Sequence, residues 1–271
     1  MNPSQIIDTL VDKNNYTLVN GGTYSYGLDE KNWQLLCDTY NRELNQFLKH
    51  SVPMLQCTLK DFYFAKHFIT VEDFNLFQKE TKYRTLAEED GWGWIMVDKW
   101  KKEKGACWRY PFGEAHSYDS LFDCNLPVLQ ISWYDAEKFC IWLSEKTNIK
   151  ISLPSEKQWE IAAIRDNYSS LLKRDFHYLK FDAYSHDSYI ESLKSQDKQE
   201  HFSRGLLWEW TSDWFDKYNG NSDFKEYGDI YKVLRGGSIF SNELQRTSEY
   251  RFRRCPTARS PYYGFRIVLE Y

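Results

Sequence analysis

The chain has no CxxC pair, no helical HxxxH pair and no apolar run long enough to cross a bilayer. Its six cysteines stand at positions 37, 57, 107, 124, 140 and 255, with no histidine at metal-ligand spacing from them. They read as buried, unpaired thiols of a reducing compartment, and a single Cys107–Cys124 disulfide stays open as the alternative. The phosphate-cradling GxxxxGK[ST], the dinucleotide-binding GxGxxG, HExxH and GxSxG are all missing, which removes the commonest sequence signatures of nucleotide, zinc and serine-hydrolase chemistry. Charge of one sign is also missing. A net −4 from 35 basic and 39 acidic residues gives no reason to expect nucleic acid as a partner. The opening "MNPSQIIDTLVDKNN" lacks the basic and apolar regions of a secretion signal, so the expectation is a cytoplasmic protein with no membrane partner.

Aromatic residues are abundant: 11 Trp, 20 Tyr and 17 Phe supply a core built from rings. Helical spacing predicts an amphipathic helix in "SWYDAEKFCIWLSEKTN" (132–148). Ser132 and Asp135 form a capping-box-like start, and Ala136, Phe139, Cys140 and Leu143 share one face. Further helices are expected in "LPSEKQWEIAAIR", with Ser155 and Gln158 at its start, in "TVEDFNLFQKET" behind Thr70, and between residues 30 and 48. Strands are predicted on either side of Gly21-Gly22 and in "KDFYFAKHFI", with "YKVLRGG" and "GFRIVLEY" as a final pair. Helices mixed with short strands and long turn-rich connections indicate an α+β domain. With no internal repeat and no low-complexity linker, residues 1–271 are expected to form a single domain. Residues 1–15 would be an N-terminal extension and the polar stretch 165–203 a divergent, shortened insertion.

Two features suggest a site. In "LLWEWTSDWF" (206–215), Glu209 and Asp213 lie among three tryptophans. They are either oxygen ligands for a hard cation such as calcium or caps on backbone amides within a tryptophan core. From residue 233 onward the chain has seven arginines, no lysine and only three acidic residues. These guanidinium groups are either a patch for carboxylates or phosphates, or buried struts donating to loop carbonyls.

Taken in order, the blocks "GGTYSYG", "FYFAKHFITVEDFNLFQKET", "GWGWIMVDKW…GACWRYPFG", "LPVLQISWYDAEKFCIWLSEKT", "ISLPSEKQWEIAA", "LWEWTSDWF", "VLRGGSIF" and "YYGFRIV" resemble the sulfatase-modifying-factor or formylglycine-generating-enzyme domain, a variant of the C-type lectin fold. The resemblance implies that fold, with short twisted antiparallel strands, several helices and much irregular loop. It also implies a copper ion held by two cysteines shortly after RGGS, where a soft thiolate pair suits Cu(I). Residues 239–254, "IFSNELQRTSEYRFRR", contain no cysteine, and Ser241 stands about where the first thiolate would be. Copper is therefore not expected. A related branch that makes sulfoxides uses iron held by an HxxxHxE motif, which this chain lacks. The family's calcium loop reads Gly-Asn before WEW, whereas here it reads Gly205-Leu206, which removes an oxygen ligand.

The resemblance extends to variable proteins of diversity-generating retroelements, which use the surface between RGGS and GFR to bind ligands. The expectation is accordingly a non-catalytic peptide- or protein-binding module, its cleft formed by residues 238–263 and the tryptophans of 92–110. Trp92, Trp94 and Trp108 would supply apolar contact, and Ser238, Ser241, Arg246, Arg251, Arg253 and Arg254 the polar and cationic side. The competing expectations are a copper-independent oxidoreductase using a non-haem metal or a partner subunit, and a structural subunit of a larger assembly.

Overall fold

The structure is a computed structural model; it describes residues 2–39, 48–114, 125–165, 189–190, 193, 205–218, 224–242 and 244–271. Most of the expected insertion, and Cys124 with it, falls outside those residues.

Side-chain caps start the helices. In α1 (Pro3–Val11), α3 (Val71–Thr81), α4 (Leu86–Asp90) and α5 (Trp133–Thr147), a capping box closes on Asn2, Thr70, Thr85 and Ser132 respectively. In α6 (Glu156–Arg165) the Ser155 Oγ accepts from the Gln158 N–H, and the Gln158 side chain accepts from the Ser155 N–H. Helix α2 covers Glu30–Thr39, the first half of the helix expected between 30 and 48. The N-terminal extension is thus partly a helix, docked through the buried Ile6.

Two four-stranded sheets and two hairpin-like pairs make up the strands. In the first sheet, β1 (Tyr16–Val19), β4 (Phe62–Ala65), β12 (Val268–Glu270) and β7 (Lys150–Ser152) lie in that order, all antiparallel. In the second the order is β10 (Phe252–Arg254), β9 (Lys232–Arg235), β8 (Trp208–Trp214) and β11 (Tyr263–Gly264), with β11 parallel to β8. Strand β2 (Gly22–Tyr26) pairs with β3 (Leu55–Leu59), and β5 (Trp92–Met96) with β6 (Trp100–Lys104).

The two strands expected around Gly21-Gly22 are present; β1 joins β4 and β2 joins β3. One expectation about pairing is corrected. "YKVLRGG" and "GFRIVLEY" are not partners: β9 and β12 lie in different sheets, and Tyr263-Gly264, at the start of the latter stretch, joins β8. Alternation marks a strand and says nothing of which edge it meets.

Rings fill the space between these layers. Phe74, Phe77, Phe139 and Trp142 form a cluster with centroids 5.2–6.0 Å apart, and each such contact adds about 0.5–1.5 kcal/mol beyond its buried area. The inward faces that helical spacing predicts are buried: Phe74 and Phe77 in α3, Ala136, Phe139, Cys140 and Leu143 in α5, and Trp159, Ala162 and Ala163 in α6. Two core tryptophan N–H groups reach backbone carbonyls: Trp133 donates to Thr211 O at 2.8 Å and Trp210 to Ile131 O at 3.0 Å. Cys107 and Cys140 are buried, Cys37 and Cys57 half-buried and Cys255 exposed; no disulfide joins any two of these five.

Candidate binding cleft

The motif arginines point inward. Arg235, at the end of β9, donates to Glu156 Oε1 at 2.6 Å, to Glu160 Oε2 at 2.5 Å and to the Ser248 carbonyl. Arg251 is 2 % exposed and grips Glu156 with two N–H groups at 2.5 and 2.9 Å, while its Nη1 donates to His50 O and Asp216 O. Burial would raise the Glu156 carboxyl, but Arg251 and Arg235 outweigh it and hold the group below its ordinary range. The second carboxylate of α6 shows the opposite balance. Burial pushes Glu160 up to about 7, against the pull of Arg235 and with the help of nearby Glu249.

Several expected ligand contacts are therefore structural. Arg251 is saturated within the core, and Arg253 stacks over Phe215 and Phe224 while pairing with Glu226. Arg246 lies against Gly237 and Gly205, where an added Cβ would sit 2.8 and 2.7 Å from its side chain, and donates to Ile239 O. Ser238 and Ser241 close on one another: the Ser238 N–H donates to Ser241 Oγ at 2.9 Å, and the Ser241 N–H returns to Ser238 O at 2.9 Å. Trp108, 2 % exposed, is a core ring against Phe74.

The carboxylates considered for calcium are also committed. Both oxygens of Glu209 accept from Arg266, at 2.7 and 2.8 Å, with each side chain buried. Asp213 accepts the Glu156 N–H at 2.6 Å and so caps α6. Asp213 thus fits the capping reading, whereas Glu209 caps no amide and has both oxygens taken up by Arg266. Among the described residues no group of three His, Cys, Asp or Glu side chains is arranged to hold a metal. At the copper position the donor is the Ser241 hydroxyl, engaged in its turn; it does not fit a site that needs two thiolates.

A cleft of about 210 Å³ beside this region opens to solvent, lined by Trp94, Trp100, Arg254, Ala258, Arg259, Ser260 and Tyr263. Trp94 and Trp100 come from the β5–β6 pair, and the rest from the segment leading into and through β11. Gln130 braces the near wall: its Nε2 donates to Trp94 O at 2.9 Å and to Pro111 O at 2.7 Å. Arg259 braces the far end, donating to Asp90 at 2.5 Å and to Trp92 O at 3.1 Å while its guanidinium lies 4.0 Å from the Trp92 ring centre. Trp100 is 42 % exposed and rests edge-on against Tyr262. Of the residues proposed from sequence, Trp94 and Arg254 line this cleft and Trp92 supports it. Arg259 belongs to the arginine-rich tail, and Trp100 and Tyr263 fall within the expected cleft ranges 92–110 and 238–263, but spacing along the chain does not show which side chains turn toward the opening.

No described helix is long and apolar enough to cross a membrane. Comparison with known proteins agrees with the motif order. The chain is 26% identical over 256 residues to "Inactive C-alpha-formylglycine-generating enzyme 2" of Mus musculus, covering 80% of this chain and 77% of that protein. It is 25% identical over 266 residues to "Formylglycine-generating enzyme" of Mus musculus, covering 81% and 68%. Among solved structures, PvdO from Pseudomonas aeruginosa superposes with a TM-score of 0.62 at 17% identity over 94% of each chain. Treponema denticola variable protein 1 superposes with a TM-score of 0.53 at 15% identity, over 94% of this chain and 95% of that one. The sulfatase-modifying factor enzyme 1-like domain matches residues 8–271, and the chain belongs to that family.

Proposed function

We propose that this chain is a non-catalytic scaffold of the formylglycine-generating-enzyme type that binds a peptide or protein segment in the cleft between β5–β6 and residues 254–263. The observation that carries this reading is the contrast between two neighbouring places. Ser241 is locked in a hydrogen-bonded turn where the family's chemistry needs a thiolate, while the adjacent aromatic cleft with Arg254 stays open. Similarity to inactive relatives supports the reading. Five cysteines with no disulfide among them fit a reducing compartment such as the cytoplasm.

Cys255 is exposed and adjoins Arg254, so a photo-crosslinker attached there samples the cleft in the full chain. The expected result is a crosslinked peptide or protein that disappears in a Trp100→Ala/Arg254→Glu variant. Crosslinks indifferent to that variant would overturn the cleft assignment.

A second reading, a copper-independent oxidoreductase, is favoured by the similarity to a formylglycine-generating enzyme over most of the chain. Metal analysis of the purified protein, joined to an oxygen-uptake assay with cysteine-containing peptides, separates the two. Stoichiometric iron or copper together with turnover would replace the binding reading.

A further inference from the structure

The antiparallel register of β5 and β6 decides what the cleft sees. Trp92 faces Lys104, Trp94 faces Lys102 and Met96 faces Trp100, so these six side chains share one face of the pair. The opposite face carries Gly93, Ile95, Lys101 and Glu103, with Ile95 fully buried; that face is the inner one. Rings and lysines thus alternate along the outer face, which continues into the cleft through Trp94 and Trp100.

The charges on this face are unbalanced. Lys101 pairs with Glu103 on the other side of the strand, and Arg259 with Asp90. Lys102 rests over the Trp92 ring, 3.9 Å from its centre, and Arg254 over Phe252, 4.1 Å from its centre. Among the described residues no carboxylate pairs with Lys102, Lys104 or Arg254. Among the described residues, then, three exposed cations beside these rings have no paired carboxylate, in a molecule whose overall charge is −4.

We infer that the occupant of this cleft is a short acidic peptide segment bearing an aromatic side chain. Its ring packs on Trp94, Trp100 and Tyr263, and its carboxylates meet Lys102, Lys104 and Arg254. This rests on the reading of the cleft as a binding site and adds the chemistry of what it selects. Local charge complementarity favours carboxylates, and the aromatic walls favour a ring. Stacking rings with cations also suit single-stranded nucleic acid. The net negative charge argues against that partner, since a polyanion meets the repulsion of the whole molecule and a short acidic segment meets chiefly the local patch.

The test uses the full chain and a fluorescein-labelled hexapeptide alternating glutamate and phenylalanine, with anisotropy as readout. Two controls replace glutamate by glutamine, or phenylalanine by serine. The acidic aromatic peptide is expected to bind about tenfold more tightly than the glutamine control, the equivalent of about 1.4 kcal/mol shared among three exposed pairs. That margin should vanish at high salt and in a Lys102→Gln/Lys104→Gln variant. These lysines are exposed, so their replacement leaves the core intact. Equal binding of the acidic and glutamine peptides, sensitive to Trp100→Ala, would overturn the inference while leaving the cleft reading in place. Binding of none of the peptides, with no cleft-dependent crosslink, would remove both. Tighter binding of a ten-nucleotide thymidine strand than of the acidic peptide would overturn the inference in favour of nucleic acid.

Discussion

Glu209 and Arg266 form a two-point ion pair, with Oε2 to Nε at 2.7 Å and Oε1 to Nη2 at 2.8 Å, and both side chains are 1 % exposed. The pair ties β8 to the segment between β11 and β12, so it fastens one sheet to the other. Removing a single partner leaves an uncompensated buried charge. Glu209→Ala is expected to cost about 3–5 kcal/mol in urea unfolding, and Arg266→Met a similar amount. The double variant Glu209→Leu/Arg266→Met should recover much of that loss. A double-mutant cycle that came out additive would mean the two groups do not support one another.

Lys232 lies between the faces of Trp133 and Trp214, 3.8 and 3.9 Å from their centres, and donates to Ser212 O at 2.8 Å. Burial lowers its ammonium from the usual lysine range, with Glu137 and Asp213 opposing. The two rings with this lysine form an aromatic cage that the chain fills itself. Lys232→Ala should cost about 2 kcal/mol and leave a slot between the indoles, seen as a changed tryptophan emission. Unchanged emission and stability would show that the stacking contributes little.

His50 packs among Phe215, Phe224 and Tyr227, with Nδ1 2.7 Å from the Tyr227 hydroxyl. Burial first, then Arg253 and Arg251, lowers it from 6.5 to about 4. The unfolded chain takes up this proton near pH 6.5, and the folded one only near 4. The His50 share of stability is therefore present above 6.5 and lost as pH falls towards 4. His50→Phe should flatten the stability profile in that window. Glu160 acts in the other direction: its raised carboxyl makes stability fall as pH climbs from the ordinary range towards about 7. The difference between wild type and His50→Phe isolates the histidine. Identical slopes would mean that it does not titrate as its surroundings dictate.

The thiols offer a check that needs no mutation. Cys255 is exposed, whereas Cys140 is buried in α5 and burial pushes its thiol up beyond the range in which it ionises near neutral pH. A maleimide pulse on the native protein, followed by peptide mass analysis, should label Cys255 within minutes and Cys140 only after denaturant is added. Early labelling of Cys140 would show that the core opens far more readily than its packing implies.

Much of the fold was legible locally. Thr70, Ser132 and Ser155 mark helix starts because a cap is a contact between residues three apart, and the inward faces of α3 and α5 follow from helical spacing. The site was legible only in outline. The arginine-rich tail reads equally as a ligand patch or as struts, and acids far away in sequence decide between them. Glu156 takes up Arg251, Glu226 takes up Arg253, and Arg254 is left facing outward. Trp108 and Trp100 differ in the same way, since one lies under α3 and the other on the outer face of β6.

The place of β12 has a consequence for the order in which the molecule is made. This strand, made after both β4 and β7, lies between them rather than at an edge. Until residue 270 emerges, β4 and β7 have no bridge, and the apolar Phe62, Phe64 and Ile151 wait without their final cover. Synthesis at about 5–20 residues per second makes that wait seconds long, a period in which a chaperone or a neighbouring chain competes for the open gap. The sheet closes from its middle.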